Sequence, residues 1–238
     1  MPRFTGLSAL LLNCSLGHDA NTSHTRKLLA RVDGIMRHEG VDTEILHVLD
    51  HQVGFGMVKD TTELGDARDD WPAIHAKVMN ADILVIGTPI WLGSPASVAT
   101  LVVERLYAHS ADTNDRGQYI YYGKTGGVVV TGNEDGVKNC AKELLYAMCH
   151  LGYTIPPQAD CGWIGEIGPG PSYGDIVDGS DTPIGYDNDF TNQNTTIMTW
   201  NLMHTAKLLS DVGGFPAGGN SAAAWRDVTN AADQVPDA

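Results

Sequence analysis

Short runs rich in Leu, Ile and Val alternate along this chain with longer amphipathic segments, and few folds accommodate that rhythm. Apolar strands are expected at residues 8–13, 43–48, 83–87 and 126–131, with a last one around 154–163. Helices are expected at about 25–38, 71–80, 95–108, 136–151 and 196–209. The strands at 83–86 and 128–130 are apolar throughout rather than alternating, as when helices cover both faces of a sheet. Five strands and five helices in this order predict an α/β fold with a doubly wound parallel sheet.

Several boundaries have local causes. Ser94-Pro95 offers a capping hydroxyl followed by proline at a first helical position, where the missing amide is harmless. Gly40 suits the end of the first helix. Two segments stand outside the alternation. Residues 162–190 form a connection much longer than the roughly 2–6 residues usual in such folds, which predicts a functional lid or an interface loop. Residues 213–238 are rich in Gly, Ala and Pro and read as a mobile tail with a weak helix at 222–232, leaving 1–212 as one domain.

Length and composition limit the function. A chain of 238 residues with 42% hydrophobic content can bury a full core. Its net charge of −14 repels polyphosphate backbones, so nucleic acid is not an expected partner. Cys14, Cys140, Cys149 and Cys161 lack the spacing of zinc sites, redox dithiols or disulfide frameworks, which fits a reducing cytoplasm and no metal. Arg3, the short run at 7–12 and Cys14 make too brief and broken a pattern for a signal peptide, and no run approaches the roughly 20 apolar residues of a membrane span. There is no nucleophile elbow around Ser94, no Walker sequence, and Gly168-Pro169-Gly170 does not link a strand to a helix. His47 and His51 straddle a strand end and read as surface histidines.

In an open parallel sheet, ligands bind beyond the carboxyl ends of the strands, where the strand order reverses. Three turns would meet there. Ser15, Ser23, His24 and Thr25 offer hydroxyls and helix-start amides, which can hold a phosphate without Lys or Arg, although Ser23 or Thr25 could equally be a plain helix cap. Pro89, Ile90, Trp91, Leu92 and Gly93 offer a flat apolar wall to a fused ring, unless Trp91 is simply a core residue. Thr131, Gly132, Asn133, Glu134, Asp135 and Gly136 bring backbone amides to a ring edge where charge develops, or form an ordinary turn. A phosphate cradle beside a ring clamp points to a mononucleotide, with a flavin the best fit.

These segments, over roughly residues 7–211, resemble the NAD(P)H-dependent FMN reductases of the flavodoxin-like superfamily, which include quinone reductases. The resemblance implies a five-stranded flavodoxin-like sheet of order 2-1-3-4-5. It implies FMN held by the three turns: Ser15 and residues 23–25 at the phosphate, 89–93 at the isoalloxazine, and Thr131, Gly132, Asn133, Asp135 and Gly136 at the pyrimidine edge. NADPH or NADH would reduce the flavin and leave before a small-molecule electron acceptor, such as a quinone, enters. A homodimer or a higher homo-oligomer is also implied by the resemblance. The third turn lacks the histidine or tyrosine that related quinone reductases use in proton transfer, so no general acid is assigned; Glu134 and Tyr173 are weak candidates. Tyr173 or Trp163 could reach the flavin or a partner subunit, although a surface aromatic in an ordered loop is the commoner outcome. Two other readings compete: a flavodoxin-type electron carrier docking redox proteins through its acidic surface, and a flavin-free interaction domain.

Overall fold

The computed structural model describes residues 2–168 and 170–232. Among the described residues, five parallel strands form the sheet: β1 (Ser8–Asn13), β2 (Asp42–His47), β3 (Ile83–Trp91), β5 (Thr125–Gly132) and β6 (Asp160–Ile164). Their order is β2-β1-β3-β5-β6, and the two-residue strand β4 (Ser94–Pro95) folds back antiparallel on the end of β3. Counting parallel strands alone, this is the expected 2-1-3-4-5 order with one small addition.

Among the described residues, six α-helices accompany the sheet: α1 (His24–His38), α2 (Trp71–Asn80), α3 (Ser97–Tyr107), α4 (Val137–Leu151), α5 (Asp189–Asp211) and α6 (Trp225–Ala232). Successive strand side chains point to opposite faces. Leu10 and Leu12 therefore pack with Ile74, Val102 and Leu144 from α2, α3 and α4, while Leu11 and Val85 pack with Leu29 and Met203 from α1 and α5. Both faces are buried, which explains the uninterrupted apolar runs.

Ser23 caps α1 by accepting from the Arg26 amide at 3.1 Å. Gly40, at φ +92°, turns the chain out of the helix while the Val41 amide reaches back to the Met36 carbonyl. Other boundaries differ from expectation. Ser94 is not a helix cap and Pro95 is not a first helical residue, because both belong to the return strand; α3 starts at Ser97, and the buried Thr88 hydroxyl takes the Ala96 amide at 3.0 Å. Strand β6 starts at Asp160 rather than 154, since Pro156 and Pro157 cannot donate to a ladder and Thr154 forms only an isolated bridge to Thr125. Helix α5 starts at Asp189 rather than 196. Asn188 caps it through the Thr191 amide at 2.9 Å, and its polar first turns conceal the apolar stripe.

The long connection after β6 packs onto the domain. Tyr173 is fully buried between Trp163 and Tyr186, so the surface-aromatic alternative does not hold for it; Trp163, at 8% exposure, is buried as well. The start of the C-terminal segment lies against the 114–118 loop: Arg116 donates to the Gly213 carbonyl, Gln118 to that of Pro216, and the Ala222 amide to that of Gly117. Residues 233–238 of the expected tail lie outside the described residues. Among the described residues, no helix is long and apolar enough to cross a membrane.

Under α2 and α3, the rings of His75 and His109 stack at 3.5 Å, and His75 Nε2 lies 3.0 Å from the Tyr121 hydroxyl. Burial, with the neighbouring His109 charge, pushes the His75 imidazole down to about 4, and burial also lowers His109. The unfolded chain therefore takes up these protons first. Stability is complete above the ordinary histidine range and is lost as pH falls toward 4. We expect the unfolding free energy to drop by up to about 3 kcal/mol on that account between pH 7 and pH 4. Urea titrations of the unaltered chain and of His75→Gln across that range test it; identical pH slopes would contradict the assignment.

Candidate functional site

The turns after β1, β3 and β5 all leave the carboxyl edge of the sheet and enclose one cavity of about 550 Å³. Ser15, Ser23, His24 and Thr25 line it from the first turn, Pro89, Ile90 and Trp91 from the second, and Thr131, Gly132, Asn133 and Glu134 from the third. Trp163, Ile167 and Tyr173 complete it from β6 and the long connection.

Four expected residues do not line this cavity. Leu92 sits at the hairpin tip with φ +51° and is 94% exposed, its amide bonded to Glu134 Oε1 at 2.8 Å. Gly93, Asp135 and Gly136 face a neighbouring cavity of about 660 Å³ on the far side of the third turn. They serve the close approach of two backbones: a Cβ on Gly136 would come within 2.9 Å of Gly93 Cα, and Asn139 Nδ2 holds the Gly93 carbonyl at 3.0 Å.

The polar groups of the first turn divide into braces and one free donor. The Ser23 hydroxyl caps α1, so for that side chain the plain-cap reading applies. Thr25 Oγ1 pairs with Thr131 Oγ1 at 2.8 Å and fastens the first turn to the third. His24 Nδ1 lies 2.9 Å from the Tyr173 carbonyl, and Lys27 Nζ donates to the Gly174 carbonyl at 3.0 Å, so both pin the long connection to α1. Asn133 fastens the same connection to the third turn: Nδ2 donates to the Pro171 carbonyl at 3.0 Å and Oδ1 accepts from Ser172 at 2.7 Å. The Ser15 hydroxyl, in contrast, is buried in the cavity wall without a hydrogen-bond partner.

Sequence reasoning missed two residues behind this turn. Asn13 is fully buried and His47 is 5% exposed, which corrects the surface reading of His47. Asn13 Oδ1 accepts from the Ser15 amide and the Ser23 hydroxyl, each at 3.3 Å. Asn13 Nδ2 lies 2.9 Å from His47 Nδ1, and His47 Nε2 lies 2.9 Å from the Gly17 carbonyl. The available signal was a polar residue ending each of two adjacent apolar strands.

The donor set fits a phosphate ester joined to a flat ring. A buried hydroxyl without a partner stands beside the first turn of a 15-residue helix, whose leading amides have no intrahelical acceptor. No Lys or Arg is among the described residues lining the cavity. On the ring side, Pro89, Ile90 and the half-exposed Trp91 face an apolar-aromatic set from β6 and the long connection. Burial raises the Tyr173 phenol to about 12, so it keeps its proton through the neutral range; its hydroxyl has no partner in the structure.

A sequence model described as NADPH-dependent FMN reductase matches residues 7–162. Over 208 residues, 87% of this chain, the identity is 55% to a Mycobacterium bovis protein named divalent metal cation transporter MntH; the match spans only 30% of that protein's length. Identity is 33% over 210 residues to 8-demethyl-8-aminoriboflavin-5′-phosphate synthase of Streptomyces davaonensis, covering 86% of this chain and 79% of that protein. The solved structure of RosB with the bound intermediate 8-demethyl-8-formylriboflavin-5′-phosphate superposes with a TM-score of 0.78 at 30% identity, covering 98% of this chain and 88% of that one.

Proposed function

This chain belongs to the NADPH-dependent FMN reductase family, and we propose that it uses FMN in the cavity between its three turns to pass electrons from NADPH or NADH to a small planar acceptor such as a quinone. FMN is the family's cofactor and NAD(P)H its reductant. When bound, FMN supplies the two-electron chemistry, and the protein supplies position and electrostatics. The observation that carries the proposal is the pairing, within one cavity, of the partnerless Ser15 hydroxyl at a helix start with the apolar wall around Trp91.

Each element has a task. Ser15 and the leading amides of α1 hold the phosphate, with the helix dipole offsetting its charge. Pro89, Ile90 and Trp91 hold one face of the ring system and exclude water from it. Thr131 and Gly132 line the same cavity, and backbone amides there would favour negative charge on the ring edge of a bound flavin. Glu134 fixes the hairpin that carries Trp91, through the Leu92 amide. Anaerobic titration of the FMN-loaded protein with NADH and with NADPH tests the reading. Loss of the oxidised flavin absorbance, restored by one equivalent of a quinone, is expected. No direct reaction with either nicotinamide would favour the electron-carrier alternative. Trp91→Ala should change turnover several-fold, and by different factors for quinones of different size; identical turnover with all of them would remove Trp91 from the wall.

A second reading is favoured by the relatives whose names concern riboflavin-5′-phosphate derivatives: the flavin held here is itself the compound transformed. Mass spectrometry of the flavin recovered after turnover separates the two. An unchanged mass supports the reductase, and a changed ring substituent supports flavin modification.

A further inference from the structure

We propose that His47 is a positioning residue for the phosphate end of the cavity, acting through Asn13 and Gly17 without touching the ligand; this rests on the FMN reading above. The Ser15 amide can only donate, so its partner on Asn13 is the carbonyl oxygen Oδ1, at 3.3 Å. The other end of that amide, Nδ2, therefore faces His47 Nδ1 at 2.9 Å. An NH₂ group only donates, which requires an unprotonated Nδ1 and places the ring proton on Nε2. Nε2 then donates to the Gly17 carbonyl at 2.9 Å.

These bonds form a bracket. Asn13 and His47 end adjacent strands and stand opposite each other in the β1–β2 register, so the sheet itself sets their spacing. One arm of the bracket holds the Ser15 amide and the other holds the Gly17 carbonyl, fixing both ends of the Ser15-Leu16-Gly17 turn. Asn13 Oδ1 also accepts from the Ser23 hydroxyl, joining the turn to the α1 cap. Two groups placed to meet a phosphate, the Ser15 hydroxyl and the start of α1, thus share one buried support. His47 is absent from the cavity lining, and the bracket's bonds run only to Ser15, Gly17 and Ser23, none of them to residues 89–91 or 163–173.

The bracket should therefore govern affinity for FMN but not for riboflavin, which has the same ring without the phosphate. Removing it leaves the buried Asn13 Nδ2 without its acceptor and releases the exposed Gly17 carbonyl from the turn, so His47→Leu should weaken FMN binding about tenfold or more. Riboflavin affinity should change less than about twofold, within ordinary mutational scatter. His47→Gln offers one acceptor and one donor and should recover most of the loss. If the Leu variant weakens both flavins in equal proportion, or neither, the proposal is overturned. Should that variant not fold, the imidazole ¹⁵N spectrum of the unaltered chain decides: an Nε2-protonated neutral ring is expected, and an Nδ1-protonated ring would refute the bracket. An unaltered chain that binds no FMN would defeat the FMN reading instead, while the tautomer measurement still reports on the bracket.

Discussion

Arg105→Ala is expected to lower the unfolding free energy by about 3–5 kcal/mol, because it strands a carboxylate in the interior. Arg105 and Asp69 have fully buried side chains, with Nη2 2.6 Å from Oδ2. The same guanidinium donates to the carbonyls of Gly54 at 2.9 Å and Lys59 at 3.2 Å, so one side chain on α3 gathers the long segment between β2 and α2. Burial alone would raise the Asp69 carboxyl, yet the Thr61 and Trp71 amides and the Arg105 guanidinium outweigh it and hold the group below the ordinary carboxylate range. Breaking the pair from one side removes the guanidinium, the one positive charge facing Asp69, and leaves the desolvation with only the backbone amides still donating. Urea unfolding measures the loss, and a decrease below about 1 kcal/mol, the size of an exposed pair, would contradict the account. The double replacement Arg105→Met with Asp69→Leu should recover only part of the stability: no charge is left unpaired, but the Thr61 and Trp71 amides lose their acceptor.

Ser15→Asp should affect the ligand as strongly as Arg105→Ala affects the fold. The substitution puts a carboxylate where the free hydroxyl now meets the cavity. Two like charges about 4 Å apart at an effective dielectric constant near 20 repel by about 4 kcal/mol, which raises the FMN dissociation constant by about a thousandfold. Ser15→Ala removes only one donor and should cost about tenfold. Flavin fluorescence titration checks both, with the melting temperature of the flavin-free protein as the control for folding. An Asp variant that binds FMN as tightly as the unaltered chain would show that the phosphate lies elsewhere.

The parallel strands were legible because burial on both faces demands unbroken apolar runs, and 83–86 and 128–130 have them. Ser94-Pro95 misled because a hydroxyl followed by proline looks alike as a helix start and as a return strand; only Thr88, distant from the eye but bonded to the Ala96 amide, separates the two. The polar first turns of α5 gave no apolar period to read, and its start is set by the Asn188 cap. At the site, the residue types of all three turns were legible and their division of labour was not. Ser23, His24 and Thr25 carry the same kinds of groups as Ser15, but their partners on Arg26, Tyr173 and Thr131 engage them. The sign that His47 is buried was its place at the end of an apolar strand beside Asn13 at the end of the next, a pairing that exists only once the two strands lie side by side.

The most direct measurement is titration of the purified, flavin-free chain with FMN and with riboflavin, followed by flavin fluorescence. The account predicts saturable one-to-one binding in which FMN binds about tenfold or more tightly than riboflavin, the difference coming from the phosphate at Ser15 and the start of α1. Equal affinity for the two flavins, or no binding of either, would contradict it.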